Sequence, residues 1–329
     1  MKGPSGDGKR RVSVLFTSAG RRVQLLHSFR HDAEALGIEL RIVACDLESQ
    51  WSAACNVADA AFDVPVWDDP GYVDAVRTIC REEDVDLVIP TVDPELLPFS
   101  LAAEHFRTDG SIVLVSCPAV VRMARDKALT MQTLRLAGLP VPHTCSLEEA
   151  FSDAASLVFP LVAKPRDGSA SSGLTIVQDP DALERLDPHR QWILQERLQG
   201  QEFTVNMLFD ARGALVAAVP HQRRQIRAGE VEKGVTVRHH GLLACAQRLA
   251  EAMTGARGAL CFQAFVDDEE RIGIFEINAR FGGGYPLSHA AGAAFGRHML
   301  AAYLGLPLPD IADWREGVVM LRYDWAVFR

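Results

Sequence analysis

The sequence has no apolar run long enough to cross a bilayer, and its first residues lack the apolar core of a signal peptide. We therefore expect no membrane segment, and we expect a disordered tail over residues 1–11. The sequence also has no block of lysines and arginines apart from short clusters, and the formal net charge is −9. Because binding to a phosphate backbone requires a basic surface, this balance argues against nucleic acid as the main partner.

Cysteine motifs and repeats are absent as well. The seven cysteines are scattered, and no two of them form a C-x-x-C pair. This pattern argues against a zinc site and predicts reduced thiols in a cytoplasmic protein. There is no internal repeat and no low-complexity segment. With 329 residues, of which 48% are hydrophobic and 23% charged, the chain is expected to be globular, with two or three modules.

The first third of the chain alternates between strand-like and helix-like segments. The strand candidates are residues 12–16, 40–46, 86–91 and 111–117, and the helix candidates are residues 23–36, 72–81 and 95–106. This alternation predicts βαβ units and a parallel sheet, which binds ligands at the carboxyl ends of its strands. The polar residues expected at that edge are Ser18, Arg21, Arg22, Asp46, Asp93 and Glu95.

A dinucleotide-binding role for this sheet has little support in the sequence. The segment Ser18–Arg22 has one glycine where the dinucleotide fingerprint has three. A helix N-terminus can still hold an anion, and Arg21 or Arg22 could pair with a carboxylate. We therefore expect this domain to bind substrate or to be structural, rather than to bind NAD.

The middle of the chain carries two lysines in distinct settings. Residues 120–137 read as one long helix that contains Asp126 and Lys127, and Leu139–Pro142 ends it. A strand over residues 159–165 brings Lys164 near its end, and a small, polar loop follows at residues 166–173. Such a loop lets backbone N–H groups approach phosphate oxygens, although a plain hairpin loop is at least as common. Lys164 before the loop and a strand over residues 174–177 after it favour a nucleotide-phosphate loop.

Two later segments supply acids and cations. Glu196 and Glu202 flank a turn between strands predicted at residues 192–198 and 203–209. They could accept hydrogen bonds from adenine or ribose, or they could be solvated surface acids. Residues 221–233 are the most basic stretch of the chain, with Arg223, Arg224, Arg227 and Lys233. This stretch could bind a phosphate and a substrate carboxylate, or it could form an exposed loop of ion pairs.

The strongest signal is a hairpin over residues 259–278. Strands are predicted at residues 259–266 and 272–278, with the polar turn 267–271 between them. If the turn centres between Glu269 and Glu270, Gln263 lies opposite Glu276, and Asn278 shares the face of Glu276. These oxygen-bearing side chains are of the type that Mg²⁺ prefers. The alternative is a surface hairpin whose polar residues face solvent. Helices are predicted at residues 239–253 and 287–304.

Taken in order, these pieces resemble the ATP-grasp superfamily. The matching pieces are Asp126–Lys127, Lys164–Pro165, the loop 166–173, Gln195–Glu202, Gln263, and Glu276–Asn278 with Arg280. Ser18–Arg22 and Glu276–Pro286 are similar to single-domain proteins related to one synthetase unit of the carbamoyl-phosphate synthase large subunit. The resemblance covers roughly residues 12–310. It implies a Rossmann-like parallel α/β domain (12–118), a linker helix and mobile lid (119–198), and a larger α+β domain (199–329).

The resemblance also implies ATP and Mg²⁺ as cofactors, with Mn²⁺ as an alternative metal. The residues that would contact ATP are Lys127, Lys164, Ser169, Ser171, Ser172, Gly173, Glu196, Leu198 and Glu202. The residues that would hold or approach the metal are Gln263, Glu276 and Asn278. Arg280 would stabilise the transferred phosphoryl group, and Arg224 and Lys233 are further catalytic candidates. The loop 166–173 has fewer glycines than many members of the superfamily.

The implied chemistry is activation of a small, amino-acid-like carboxylate as an acylphosphate, with release of ADP, followed by attack of an amine. Phosphoryl transfer depends on positioning and charge neutralisation, so metal ligands and cations suffice for it. Two alternatives stay open. One is a carbamoyl-phosphate-synthase-like unit that uses bicarbonate or needs a partner subunit, and the other is a non-catalytic nucleotide-binding module. The expected partners are small molecules, and a homodimer is possible.

Overall fold

A computed structural model describes residues 10–153, 157–168 and 173–328. The strands are β1 Arg11–Thr17, β2 Glu39–Asp46, β3 Ala60–Asp63, β4 Leu87–Pro90, β5 Ile112–Val113, β6 Thr144–Ser146, β7 Leu161–Pro165, β8 Thr175–Val177, β9 Trp192–Glu196, β10 Gln201–Phe209, β11 Leu215–Arg227, β12 Glu230–Thr236, β13 Gly258–Val266, β14 Ile272–Asn278 and β15 Val319–Leu321. The helices are α1 Val23–Leu36, α2 Ala53–Val57, α3 Tyr72–Glu82, α4 Asp93–Thr108, α5 Pro118–Arg125, α6 Lys127–Leu136, α7 Leu147–Ser152, α8 Pro180–Glu184, α9 His240–Ala252, α10 Tyr285–Ala290 and α11 Phe295–Leu304.

The first five strands form a parallel sheet in the order β3-β2-β1-β4-β5. Six of the seven residues of β1 are buried, as expected for a strand covered by helices on both faces. The predicted parallel α/β domain is therefore confirmed. Its last strand is shorter than the predicted 111–117, because the chain turns away after Val113. Ser116 then accepts a hydrogen bond from the backbone N–H of Arg257, which lies just before β13.

The other strands form two antiparallel sheets. The smaller has the order β6-β9-β7-β8, and the larger has the order β14-β13-β10-β11-β12-β15. The larger sheet shares a continuous apolar core with the first domain, in which Phe99 and Phe106 belong to the same cluster as Phe203 and Phe262. The four-stranded sheet has a separate, smaller core. Its buried residues are Ala150, Leu161, Ala163, Val177, Leu183, Trp192 and Leu194.

The single long helix predicted over residues 120–137 is wrong. Two helices, α5 and α6, meet at Asp126, whose backbone is extended and whose side chain accepts hydrogen bonds from the N–H groups of Ala128 and Leu129. Asp126 is thus the N-cap of α6, which stabilises a new helix start. Arg166 donates to both carboxylate oxygens of Asp126, which ties this start to the end of β7. As a result, α6 begins with Lys127 beside the four-stranded sheet.

The helix predicted over residues 287–304 is also divided. Helix α10 ends at Ala290 and α11 begins at Phe295. Gly292 lies between them with φ of 110°, a left-handed conformation that glycine adopts without strain. Within the described ranges, no helix combines the length and apolar character needed to cross a membrane. All seven cysteines are free.

A buried carboxylate organises the carboxyl edge of the parallel sheet. Glu95 is fully buried and accepts hydrogen bonds from the hydroxyls of Tyr72 and Ser18 at 2.6 and 2.7 Å. The backbone N–H groups of Thr91 and Val92 donate to its other oxygen. Burial raises the pKa of Glu95, while these four donors act in the opposite direction. The carboxylate therefore fixes the loop that follows β1.

Replacing Glu95 by alanine is expected to lower the free energy of unfolding by about 3 kcal/mol, because it leaves several buried donors without an acceptor. Urea denaturation would measure this change. The matched control is Glu104→Ala on the same helix, where the side chain is 77% exposed and the expected change is within about 0.5 kcal/mol. Equal urea midpoints for the two variants would contradict the structural role of Glu95.

Candidate active site

The hairpin of β13 and β14 pairs Gln263 with Glu276, as predicted. The pairing arises differently from the expectation, however. Val266 pairs with Ile272, so the turn centres on Glu269, and the register then shifts by one between Ala264 and Gln263. The shift leaves Phe275 as an extra residue in β14. Such a bulge bends the strand and changes the direction of its side chains.

The bulge brings two consecutive residues to one cavity. Phe275 and Glu276 both line a cavity of about 640 Å³ between the four-stranded and the six-stranded sheets. The carbonyl of Phe275 accepts a hydrogen bond from Nζ of Lys164 at 3.3 Å. The same ammonium lies 5.4 Å from the centroid of the Phe275 ring. The bulge therefore links the large sheet to β7 across the cavity.

The cavity has an apolar part and a charged end. Its apolar walls are formed by Val162, Leu174, Ile176, Leu198, Phe265 and Phe275. Lys127, Lys164 and Glu276 form the charged end, while Glu196 and the segment after it line another side. A flat aromatic base with an attached polyphosphate would match an apolar part and a charged end, because pockets of this size bind small molecules through apolar walls and a few polar groups.

The two lysines are held at the charged end by backbone carbonyls. Nζ of Lys127 donates to the carbonyl of Gly168 at 2.7 Å. The Lys164 side chain is buried, and burial lowers its pKa to about 8, with a smaller contribution from Lys127. Burial also lowers the pKa of Lys127. Glu276, which lines the same cavity, opposes both shifts and so favours the charged form of each lysine.

A smaller cleft of about 40 Å³ adjoins the charged end. It is lined by Glu276 and Asn278, and by Asp93 and Arg125 from the opposite side. Glu276 belongs to both the cavity and the cleft. The carboxylate of Glu276 and the amide oxygen of Asn278 are hard ligands, so this donor set fits Mg²⁺ with water and phosphate oxygens completing its shell.

Arg280 contacts two of the residues that line this cleft, Asp93 and Asn278. Its Nε and Nη2 donate to one oxygen of Asp93 at 3.0 and 2.7 Å, and Nη2 lies 3.3 Å from the amide oxygen of Asn278. Burial alone would lower the pKa of Arg280, but Asp93 raises it above its usual value. The ion pair joins the end of β14 to the first turn of α4. A permanently charged guanidinium therefore lies beside the candidate metal ligands.

In the basic segment 221–233, the arginine that faces inward is Arg223, whereas the catalytic candidates predicted from the sequence are Arg224 and Lys233. Arg223, whose side chain is 5% exposed, forms an ion pair with Glu202 and donates to Oε1 of Gln263 at 2.9 Å. Arg224 and Lys233 are exposed and are not among the residues that line the cavity or the cleft. A register shift between Arg223 and Gln225 separates the two arginines. Neighbouring residues of a strand point to opposite faces, but the sequence carries no signal for which of these two arginines faces inward.

The remaining predicted contacts are only partly described. Ser169, Ser171 and Ser172 lie outside the described residues. Gly173 is described, with φ of 76°, and a Cβ atom there would lie 2.7 Å from the guanidinium of Arg190. Glu202 and Gln263 are not among the residues lining the cavity or the cleft, because both face Arg223. Burial raises the pKa of Glu202, and Arg223 opposes this shift.

Two family models match the chain in the order of its domains. Residues 14–114 match the N-terminal domain of PylC-like proteins, and residues 124–284 match the ATP-grasp domain. The chain therefore contains an ATP-grasp domain. The second match extends from just before Lys127 to the glycines after Arg280, so it contains both lysines and the candidate metal ligands.

Curated relatives of this ATP-grasp chain include formate-dependent phosphoribosylglycinamide formyltransferases. The protein of Parasynechococcus marenigrum is 32% identical over 151 residues, which are 45% of this chain and 37% of that protein. The protein of Synechococcus elongatus is 27% identical over 323 residues, covering 88% of this chain and 78% of that protein. The chain thus spans less than half of the first relative's length.

Solved structures share the fold. The biotin carboxylase domain of the 2-oxoglutarate carboxylase of Hydrogenobacter thermophilus, determined with MgADP, ADP and bicarbonate, aligns with a TM-score of 0.72. The identity is 16%, and the alignment covers 93% of this chain and 73% of that chain. At this identity the likeness establishes the fold alone. Together with the two family models, it confirms a parallel α/β domain followed by an ATP-grasp fold.

Proposed function

We propose that this ATP-grasp protein is an ATP-dependent ligase that activates a small-molecule carboxylate as an acylphosphate and transfers the acyl group to an amine. The observation that carries the proposal is the meeting of Lys127, Lys164 and Glu276 where the cavity joins the cleft. This junction offers cations for phosphate oxygens beside a carboxylate for a metal ion. The formate dependence in the relatives' name agrees with a carboxylate substrate.

The roles of the residues follow from their positions. Adenine would lie between the apolar walls, and Lys127 and Lys164 would bind the phosphates. Glu276 and Asn278 would hold Mg²⁺, which neutralises charge on the phosphates when bound. Gln263 would support this ligand set from the opposite strand, and Arg280 would stabilise the phosphoryl group in transfer.

The proposed reaction has two steps. A carboxylate oxygen attacks the γ-phosphorus, the bond to the β-phosphate oxygen breaks, and ADP leaves. The amine nitrogen then attacks the acyl carbon, phosphate leaves with the bonding electrons, and the nitrogen loses a proton. The acylphosphate hydrolyses if water reaches it, so the site must exclude water. We propose that the four-stranded sheet, which has its own core, closes over the cavity as a lid.

Nucleotide product analysis tests this function. The full chain would be incubated with Mg²⁺, ATP and pools of amino acids, with bicarbonate and formate in separate arms. We expect ADP and phosphate in equal amounts, with one pool only. AMP and pyrophosphate would contradict the acylphosphate mechanism. Binding of ATP without turnover in any arm would contradict an autonomous ligase and favour the non-catalytic module or a need for a partner subunit.

A further inference from the structure

A three-residue ion cluster lies outside the nucleotide cavity. Glu230, the first residue of β12, accepts a hydrogen bond from Nη1 of Arg322 at 2.6 Å, and its other oxygen lies 3.6 Å from Nη1 of Arg22. Arg22 comes from the loop after β1, and Arg322 follows β15. Two guanidinium groups from opposite ends of the chain therefore meet on one carboxylate.

This cluster is adjacent to the candidate catalytic centre. Arg322 also donates to the carbonyl of Gly283, which is three residues after Arg280. A Cβ atom on Gly283 would lie 2.6 Å from Oε1 of Glu230, so a side chain at this position would displace the carboxylate. The charge of Arg280 lowers the pKa of Arg22, after the larger effect of burial. The glycines after Arg280 thus allow the cluster to approach the cleft.

The charges of the cluster favour an anion. Burial alone would raise the pKa of Glu230, but Arg22 and Arg322 lower it below the usual value. His221 lies against Gly284, and burial lowers its pKa to about 3, so it stays neutral. Two arginines that share one carboxylate keep donor capacity for a second or larger anion, since guanidinium groups bind carboxylate and phosphate in a bidentate way.

We propose that Arg22 and Arg322 form the binding site for an anionic group, a carboxylate or a phosphate, of the acceptor substrate, and that Glu230 fills this site when no substrate is bound. The assignment of the ligand as a substrate rests on the proposed ligase function. It also gives a role to the Ser18–Arg22 motif, which the nucleotide cavity does not use. The Glu95 network described above holds the loop that presents Arg22.

The position of Glu230 allows such an exchange. Its side chain is 32% exposed, and those of Arg22 and Arg322 are 20% and 30% exposed. Ala228 and Gly229, which precede it in the turn between β11 and β12, have positive φ values of 50° and 78°. Glu230 can therefore turn toward water, and the arginines then remain in place for the substrate.

Calorimetric titration of small anions tests the proposal on the full chain. The probes are inorganic phosphate and malonate, and the nucleotide cavity is first saturated with Mg²⁺ and a non-hydrolysable ATP analogue. Glu230→Gln is expected to bind at least one probe about tenfold more tightly than the unmodified protein, which corresponds to about 1.4 kcal/mol. The preferred probe distinguishes a phosphate site from a carboxylate site. Adding Arg322→Gln to Glu230→Gln should abolish the gain.

The matched control is Glu232→Gln, two residues along β12, where the carboxylate pairs with Arg227 instead. It should bind both probes like the unmodified protein. Equal affinity of the Glu230→Gln and Glu232→Gln variants for both probes would overturn the proposal. If Glu230→Gln does not fold, Glu230→Asp is used instead, and a smaller gain in affinity is expected. No gain in affinity would again overturn the proposal. Failure of the analogue to bind would count against the proposed function alone, because the same anion titrations can be run without it.

Discussion

Replacing Glu276 by glutamine is expected to lower the rate of ADP formation by at least about a hundredfold, a loss of the size seen when one preorganised electrostatic group is removed. The substitution keeps the volume of the side chain and removes its charge. Glu276 is the carboxylate shared by the cavity and the cleft, and it stabilises the charged forms of Lys127 and Lys164. A coupled assay for ADP, with the substrate pool that supports turnover, would measure the change.

Two comparisons separate this loss from a folding defect. Glu269→Gln, at the tip of the same hairpin, removes a carboxylate that is 73% exposed, and it should keep the full rate because exposed ion pairs contribute little. Raising the Mg²⁺ concentration should restore part of the rate of Glu276→Gln if the lost charge had held the metal. Retention of more than about a tenth of the rate would contradict the assignment of Glu276 as a metal ligand.

The sequence allowed the hairpin to be predicted because its polar positions repeat at the spacing of a strand. Gln263 and Glu276 are paired as expected. The bulge at Phe275 could not be predicted, since one inserted residue leaves no mark in a stretch of mixed apolar and polar residues. The turn centres half a residue earlier than the sequence predicts, and the bulge compensates for this difference, so that Gln263 still pairs with Glu276. The correct pairing thus came from two deviations that cancel.

The basic segment shows the same limit. Arg223 and Arg224 are neighbours with the same chemistry, and only the pairing of β11 with β10 and β12 determines which of them faces Glu202. The catalytic roles of Arg224 and Lys233, and the metal role of Gln263, stay predictions. By contrast, the helix break at Asp126 has a local signal in the sequence, because aspartate is a favoured N-cap. The assignment of Lys127 to the nucleotide does not depend on that break.

The pH dependence of kcat/KM for ATP is expected to show a descending limb near pH 8, because Lys164 must carry a proton to bind phosphate. Burial lowers the pKa of this lysine to about 8 in the free protein. The ammonium is therefore present below that pH and lost above it, and kcat/KM reports groups of the free enzyme. Bound phosphate favours the ammonium, so the limb in kcat should lie at higher pH than the limb in kcat/KM.

Three substitutions assign this limb to one side chain. Lys164→Met should lower kcat/KM by at least about a hundredfold, since it removes a charge from a buried phosphate site. Lys164→Arg keeps the charge at every accessible pH, so the limb should disappear even if the rate is lower. Lys127→Arg, at the neighbouring cation, should keep the limb, because Lys164 is unchanged. A limb that persists in Lys164→Arg would show that another group titrates near pH 8, and the burial of Lys164 would then serve the fold rather than the binding of ATP.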